Sequence, residues 1–249
     1  MIFANIRTHL VLLFGCMLIL GQSLAQAQDT VGDTIRGKLQ QARPDFKISS
    51  VKPSAVDGIY EVQIGGGPVI YATADGDFFF LGDLFAVGVG GIVNLAEQER
   101  DVARKTLIDA VPTEDMIVFG AEGETRAHIT VFTDVDCFYC QKLHKEVPAM
   151  NAKGIEVRYL AYPRSGIGGE SYRKIASAWC AADSQKAITM LKNRENIPDN
   201  VCPDNPVANQ FMIGQQAGVR GTPAVVLESG EMLPGYLSAA DLAGRLGIN

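Results

Sequence analysis

The stretch FTDVDCFYCQKLH, Phe132 to His144, sets two cysteines two residues apart where an apolar run meets a helical pattern. HITVFT, just upstream, is rich in β-branched and aromatic residues and reads as a buried strand, so the fold must deliver Cys137 from a strand end into the first turn of a helix. Helix positions i and i+3 share a face, and their Cα atoms fall within the span that a disulfide tolerates. At the helix start, unpaired N–H groups and the positive end of the dipole favour a thiolate at Cys137. The same effect makes Cys137 a good leaving group from a mixed disulfide. Cys140, one turn further in, is expected to be more buried and to act second.

A redox centre, half of a zinc site and a plain bridge all begin with such a pair, and the compartment helps to separate them. MIFANIRTHLVLLFGCMLILGQSLAQA carries an early cation at Arg7, an apolar core from Leu10 to Leu20, and Ala25 and Ala27 ahead of a cut before Gln28. Residues 1–27 read as a secretory signal peptide, with an apolar core too short to span a bilayer comfortably. Its removal leaves Cys137, Cys140, Cys180 and Cys202, an even set in a chain sent to an oxidising compartment. Zinc would need two more ligands. His144 lies on the right face, but Cys180 and Cys202 form no second close pair, so neither metal nor cofactor is expected and His144 reads as a solvated helix residue. Cys180 and Cys202 bracket two helical segments and a loop, which reads as a structural bridge contributing roughly 3 kcal/mol by loop closure. With 22 basic against 28 acidic residues, nucleic acid and anionic membranes are poor partners.

The remaining pattern divides the chain. Val31, Ile35 and Leu39 recur at helical spacing until Pro44; FKISSV, GIYEVQIG, PVIYAT and DFFFLGDLFAVG then run at strand lengths between glycine-rich turns. This reads as a small antiparallel sheet with one helix, residues 28–91. Gly88 to Gly91 gives way to NLAEQERDVARKTLIDAVP, a highly charged helix capped by Asn94, taken as a solvated spacer over 92–112. From 113 to 249 strand and helix alternate: HITVFTD, the helix CFYCQKLHKEVPAMNA, IEVRYLAYP, a helical stretch, a TPAVVLES/EMLPGY hairpin and a last helix. That order specifies a layered α/β domain with a mixed sheet. In VRGTPAVVL, Pro223 opens a strand after Gly221 and Thr222, a tight-turn signal for which base rates favour a trans bond.

VFTDVDCFYCQKLHKEV, RYLAYPR, AWCAAD with the later Cys202, and GVRGTPAVVLESGEMLPGY together resemble the bacterial periplasmic DsbC/DsbG family, and the upstream segments are similar to that family's small N-terminal domain and linker. The resemblance covers essentially the whole mature chain. It implies a C-terminal thioredoxin-like fold with a helical insertion, preceded by a small α+β, cystatin-like dimerisation domain and a helical linker. It further implies Cys137 as nucleophile, Cys140 as resolving thiol, and Thr222 with a cis Pro223 beside Cys137, pairing by β-augmentation with an extended substrate that Phe138 and Tyr139 also contact. The implied function is disulfide isomerisation in misfolded secreted proteins by a homodimer recharged by the membrane reductase DsbD. DsbG-like reduction of oxidised single cysteines, or chaperone binding of unfolded chains, are the alternatives. Phe138 departs from the family, whose best-known members carry Gly there.

Overall fold

The computed structural model describes residues 30–65 and 67–248, so the signal-peptide reading lies outside the described residues. The chain forms two compact units, one ending at Leu84 and the other beginning at Phe85. No helix among the described residues is long and apolar enough to cross a membrane.

The first unit is α+β. Helix α1, residues 30–42, lays Ile35 and Leu39 on a four-stranded antiparallel sheet. The sheet runs β1 (Ile48–Pro53), β2 (Ile59–Ile64), β3 (Val69–Thr73) and β4 (Phe79–Leu81), each strand pairing with the next in sequence. Ile48, Val62, Ile70 and Ala72 complete the core against α1. The single stretch DFFFLGDLFAVG is in fact two strands: β4 ends at Leu81, and β5 (Phe85–Gly88) pairs instead with β6 (Gly91–Asn94). Gly88 to Gly91 thus closes a hairpin.

The second unit continues from that hairpin into α2 (Leu95–Asp109), where Asn94 Oδ1 accepts the Glu97 N–H at 3.0 Å, as its capping role requires. A 3₁₀ turn, Thr113–Asp115, leads to β7 (Ile117–Phe119), then β8 (Ala127–Thr133), α3 (Phe138–His144), α4 (Val147–Ala152) and β9 (Ile155–Ala161). α5 (Glu170–Trp179), α6 (Ser184–Lys192) and α7 (Val207–Gln216) form the helical insertion, followed by β10 (Ala224–Leu227), β11 (Met232–Pro234) and α8 (Ala239–Arg245). The sheet order is β11-β10-β8-β9-β7, with only β8 and β9 parallel.

Period-two alternation divides this sheet's side chains between two cores. Ile129 and Val131 of β8, with Val157 and Tyr159 of β9, face α3, α4, α6 and α8. Phe132 and Leu160 face the other way, onto Ile108 of α2 and Phe211 and Ile213 of α7. The helix expected over Cys137 to Ala152 is broken into α3 and α4, because Pro148 near the start of α4 has no N–H for a continuous ladder. β7, only three residues long, carries too short a pattern to be read from sequence.

α2 is no bare spacer in contact terms. Arg104 is only 5% exposed, and its guanidinium donates to the carbonyls of Ala217 (3.0 Å) and Gly230 (2.6 Å) as well as to Asp101 and Glu97. Such a charge is tolerated in the interior because every side of it meets an acceptor.

Candidate functional site: two cysteines at a helix start

The site begins where β8 ends. Asp134, only 1% exposed, accepts from the Asp136 N–H at 2.8 Å on one oxygen, and on the other from the Arg164 N–H at 2.8 Å and Nε at 3.3 Å. That carboxylate ties the turn before Cys137 to the chain leaving β9. Cys137 then occupies the N-cap of α3 with extended backbone, φ −88° and ψ 119°, and Cys140 follows one turn in.

Both cysteines carry free thiols and both are buried. Cys137 Sγ lies 3.1 Å from the Thr222 carbonyl oxygen, to which it donates when protonated, and the Thr222–Pro223 bond is cis. Strand β10, which starts just after Pro223, lies beside β8, and this pairing brings the two distant segments together. Phe138 and Tyr139 point outward, 61% and 56% exposed, packed edge to face at 5.4 Å, and form an apolar lip next to the sulfur. The sequence-derived residues Cys137, Cys140, Thr222, Pro223, Phe138 and Tyr139 therefore cluster in one place. Cys180 and Cys202 are disulfide-bonded, with Cα atoms 5.7 Å apart, at the start of the loop that follows α5 and within the insertion.

The two sulfurs are pushed in opposite directions. The thiol of Cys140, hydrogen-bonded to the Cys137 sulfur, is the main cause that brings Cys137 down from 9.0 to about 5; Thr222, the Cys140 N–H and the Arg164 charge add to it, and burial opposes it. Burial is what raises Cys140 well above its ordinary value, reinforced by its bond to Cys137, while the Lys192 charge pulls the other way. One sulfur is thus favoured as a thiolate at neutral pH and its neighbour as a thiol, and the thiolate is the nucleophilic form.

Beneath the pair lies a polar cluster that includes one correction. His144 is buried, not solvated, because α6 and β9 close over it: Nε2 meets Thr189 Oγ1 at 3.0 Å and Nδ1 meets Tyr159 Oη at 2.9 Å. The Thr189 hydroxyl already donates to the Gln185 carbonyl, so Nε2 carries the hydrogen and Nδ1 accepts from Tyr159. Burial lowers His144 to about 4, with the Lys192 charge adding. With both ring nitrogens committed, and Cys180 and Cys202 bonded to each other, the further ligands a zinc site would draw on are taken. Asp134, Arg164 and Lys192 were not singled out in sequence. Lys192 did carry a signal, since it lies four residues after Ile188 on the apolar face of α6.

A mixed sheet that delivers a cysteine pair to a helix start, opposite a cis proline, defines a thiol–disulfide oxidoreductase of thioredoxin-like fold. Residues 96–247 match the thioredoxin-like domain family, and residues 22–97 match the disulfide bond isomerase protein N-terminal domain. The chain is 35% identical to the thiol:disulfide interchange protein DsbC of Haemophilus influenzae over 94% of this chain and 96% of that one. It is 37% identical to DsbC of Escherichia coli K12, covering 78% and 79% of the two chains, and 34% identical to DsbC of Dickeya dadantii, covering 95% and 94%. The chain belongs to the DsbC family of thiol:disulfide interchange proteins.

Proposed function

We propose that the protein is a periplasmic disulfide isomerase in which Cys137 attacks and Cys140 resolves. The observation that carries this reading is a free cysteine pair one turn apart at the start of α3, with Cys137 against the Thr222 carbonyl and the cis Pro223 and Cys140 buried behind it. The Cys137 thiolate attacks one sulfur of a non-native disulfide, a mixed disulfide forms, and the other substrate sulfur leaves as a thiolate. A different substrate thiolate then attacks the substrate sulfur of the mixed disulfide, the new substrate disulfide forms, and Cys137 leaves as the stable thiolate it was. If rearrangement stalls, Cys140 attacks Cys137 Sγ and frees the substrate reduced, leaving an enzyme disulfide that an external dithiol must reduce. A membrane reductase of the DsbD type is the proposed source of that dithiol.

Misfolded, disulfide-containing secreted proteins are the proposed substrates. An extended segment of such a chain would lie against Thr222 and Pro223, with the Phe138–Tyr139 lip contacting its apolar side chains. Residues 28–91 are proposed as the dimerisation domain, 92–112 as the connecting helix and 113–249 as the catalytic domain, exported by a cleaved signal at 1–27.

The test is recovery of activity from a scrambled multi-disulfide protein in a glutathione buffer. Cys137→Ala should abolish recovery, while Cys140→Ala should retain part of it, because shuffling needs only the attacking thiol. Equal and complete loss in both variants, with rapid reduction or oxidation of simple dithiols by the unaltered protein, would overturn isomerisation in favour of a dithiol cycle. Phe138→Gly would then be the next variant to make.

A further inference from the structure

The wall opposite Cys137 is a loop held at both ends and open in the middle. α7 closes at Gln216, and Gly218, with φ +85°, turns the chain toward the site. The Val219 N–H donates to the Gly214 carbonyl at 2.9 Å, and at the far end the Pro223 carbonyl accepts from the Gly235 N–H at 2.9 Å. Arg220 and Gly221, in between, are exposed. Among the described residues their N–H and C=O groups, and the Thr222 N–H, have no hydrogen-bond partner. Open backbone of this kind is what an extended segment pairs with.

One buried side chain joins this loop to the other wall. Tyr162, just past the end of β9, donates its N–H to the Thr133 carbonyl at 2.8 Å, at the end of β8 that leads to Cys137. Its hydroxyl donates to the Val219 carbonyl at 2.9 Å. The ring packs edge to face on Phe132 at 6.2 Å and tilted against Phe211 at 4.9 Å, and it lies so close to α7 that a Cβ at Gly214 would fall 2.5 Å from its Cδ2. A ring gripped on these sides cannot follow the loop if the loop shifts, so the hydroxyl is a fixed point. Without it the Val219 carbonyl would be buried with no donor, a state relieved by moving the segment. Val219 stands three residues before Thr222, whose carbonyl oxygen meets Cys137 Sγ at 3.1 Å, so movement there reaches the backbone beside the sulfur.

Resting on the reading of Cys137 as the attacking sulfur and of the Thr222–Pro223 loop as the seat of an extended substrate, we propose that Tyr162 is a positioning residue that sets a preference for polypeptide disulfides over small ones. Its hydroxyl holds the open edge of the loop at the spacing that a substrate backbone needs. A small disulfide has no backbone to pair and depends on Cys137 alone, whereas a polypeptide gains binding from the loop as well. The chemistry is the same for both: a bond forms between Cys137 Sγ and one substrate sulfur, the substrate S–S bond breaks, and the other sulfur leaves with the electron pair as a thiolate. Tyr162 takes no proton and gives none. It acts on binding through the loop, not on the bond-making step.

Two probes that release the same coloured thiolate test this by rapid mixing with the reduced protein: dithiobisnitrobenzoate, and a short unstructured peptide whose central cysteine carries thionitrobenzoate as a mixed disulfide. Tyr162→Phe keeps the ring and removes only the hydroxyl. The peptide concentration that gives the half-maximal first-phase rate should rise about tenfold, the equivalent of one buried hydrogen bond, while the limiting rate and the rate with dithiobisnitrobenzoate stay within about twofold. In hydrogen exchange the amides of residues 218–222 should exchange faster in the variant, with those of α3 unchanged. A peptide response that does not change, or a fall that dithiobisnitrobenzoate shares to the same degree, would overturn the proposal, as would unaltered exchange in the loop. Failure of the underlying reading looks different: the unaltered protein would then take a peptide N-methylated on both sides of its cysteine as readily as the parent peptide, or Cys137→Ala would still release the coloured thiolate at the unaltered rate.

Discussion

At the scale of single residues, the site works by holding neighbouring groups in opposite protonation states. Cys137, at about 5, is ionised through the neutral range, so its alkylation by iodoacetamide should rise as pH climbs through about 5 and level off well before 9.0, where an ordinary thiol titrates. Mass spectrometry of the modified peptide should place the label on Cys137 alone. A midpoint near 9.0 would remove the thiolate from the mechanism. His144 gives a stability signature of the same kind. Its proton affinity is lower folded, about 4, than unfolded, about 6.5, so between these values the unfolded chain binds more protons. The contribution is therefore complete above about 6.5 and is lost as pH falls toward about 4, on the order of 3 kcal/mol in all. His144→Gln, which does not titrate, should flatten the acid side of the urea midpoint against pH. Much of this chemistry is legible in a short window, because Cys137, Cys140 and the strand before them are local. Lys192, Arg164 and Asp134 are not, since their roles arise only when α6 and the chain after β9 fold over the cysteine turn. The same holds for His144: spacing within α3 shows a face, but not that α6 covers it.

At the scale of elements, α2 shows how composition misleads. Its charges suggested a solvated spacer, yet Ala96, Arg104 and Ile108 are buried, and Ile108 joins the core under Phe132. A single arginine whose long side chain reaches two carbonyls is indistinguishable in sequence from a solvated one. Arg104→Met should cost about 3 kcal/mol in urea unfolding, by leaving the Ala217 and Gly230 carbonyls without a donor. Across the same contact, Gly230 has φ +90°, and a Cβ there would lie 2.0 Å from the Asp101 carbonyl oxygen. Gly230→Ala should therefore destabilise by about 2 kcal/mol or more, while leaving Cys137 alkylation in the folded protein unchanged. If both substitutions were neutral, α2 would be tethered rather than packed. The helix break at Pro148 was legible in principle, since the residue itself forbids a continuous ladder.

At the scale of the whole molecule, the proposed homodimer turns on an edge. In the first unit, β4 is the last strand of the sheet and pairs only with β3, so one side of its backbone is open to another strand. Its three residues are all exposed although all are large and apolar, and Phe78 just before them is 72% exposed. Phe80 stacks on Tyr71 at 5.4 Å, which leaves Phe79 and Leu81 on the opposite side of the strand. Soluble proteins protect such edges with charge or cover them, and here no lysine, proline or bulge interrupts the row Phe78 to Leu81. A second copy of the chain, presenting the same edge, is the occupant proposed. Sedimentation of the mature chain at micromolar concentration should give twice the chain mass, and Leu81→Lys should shift it toward one chain mass. The same variant should keep the pH profile of Cys137 alkylation, because the thiol site lies wholly in the second unit, but should lose recovery of scrambled substrate if isomerisation needs two sites held together. An unaltered chain that sediments as a monomer, or a Leu81→Lys variant that stays dimeric, would move the interface away from β4.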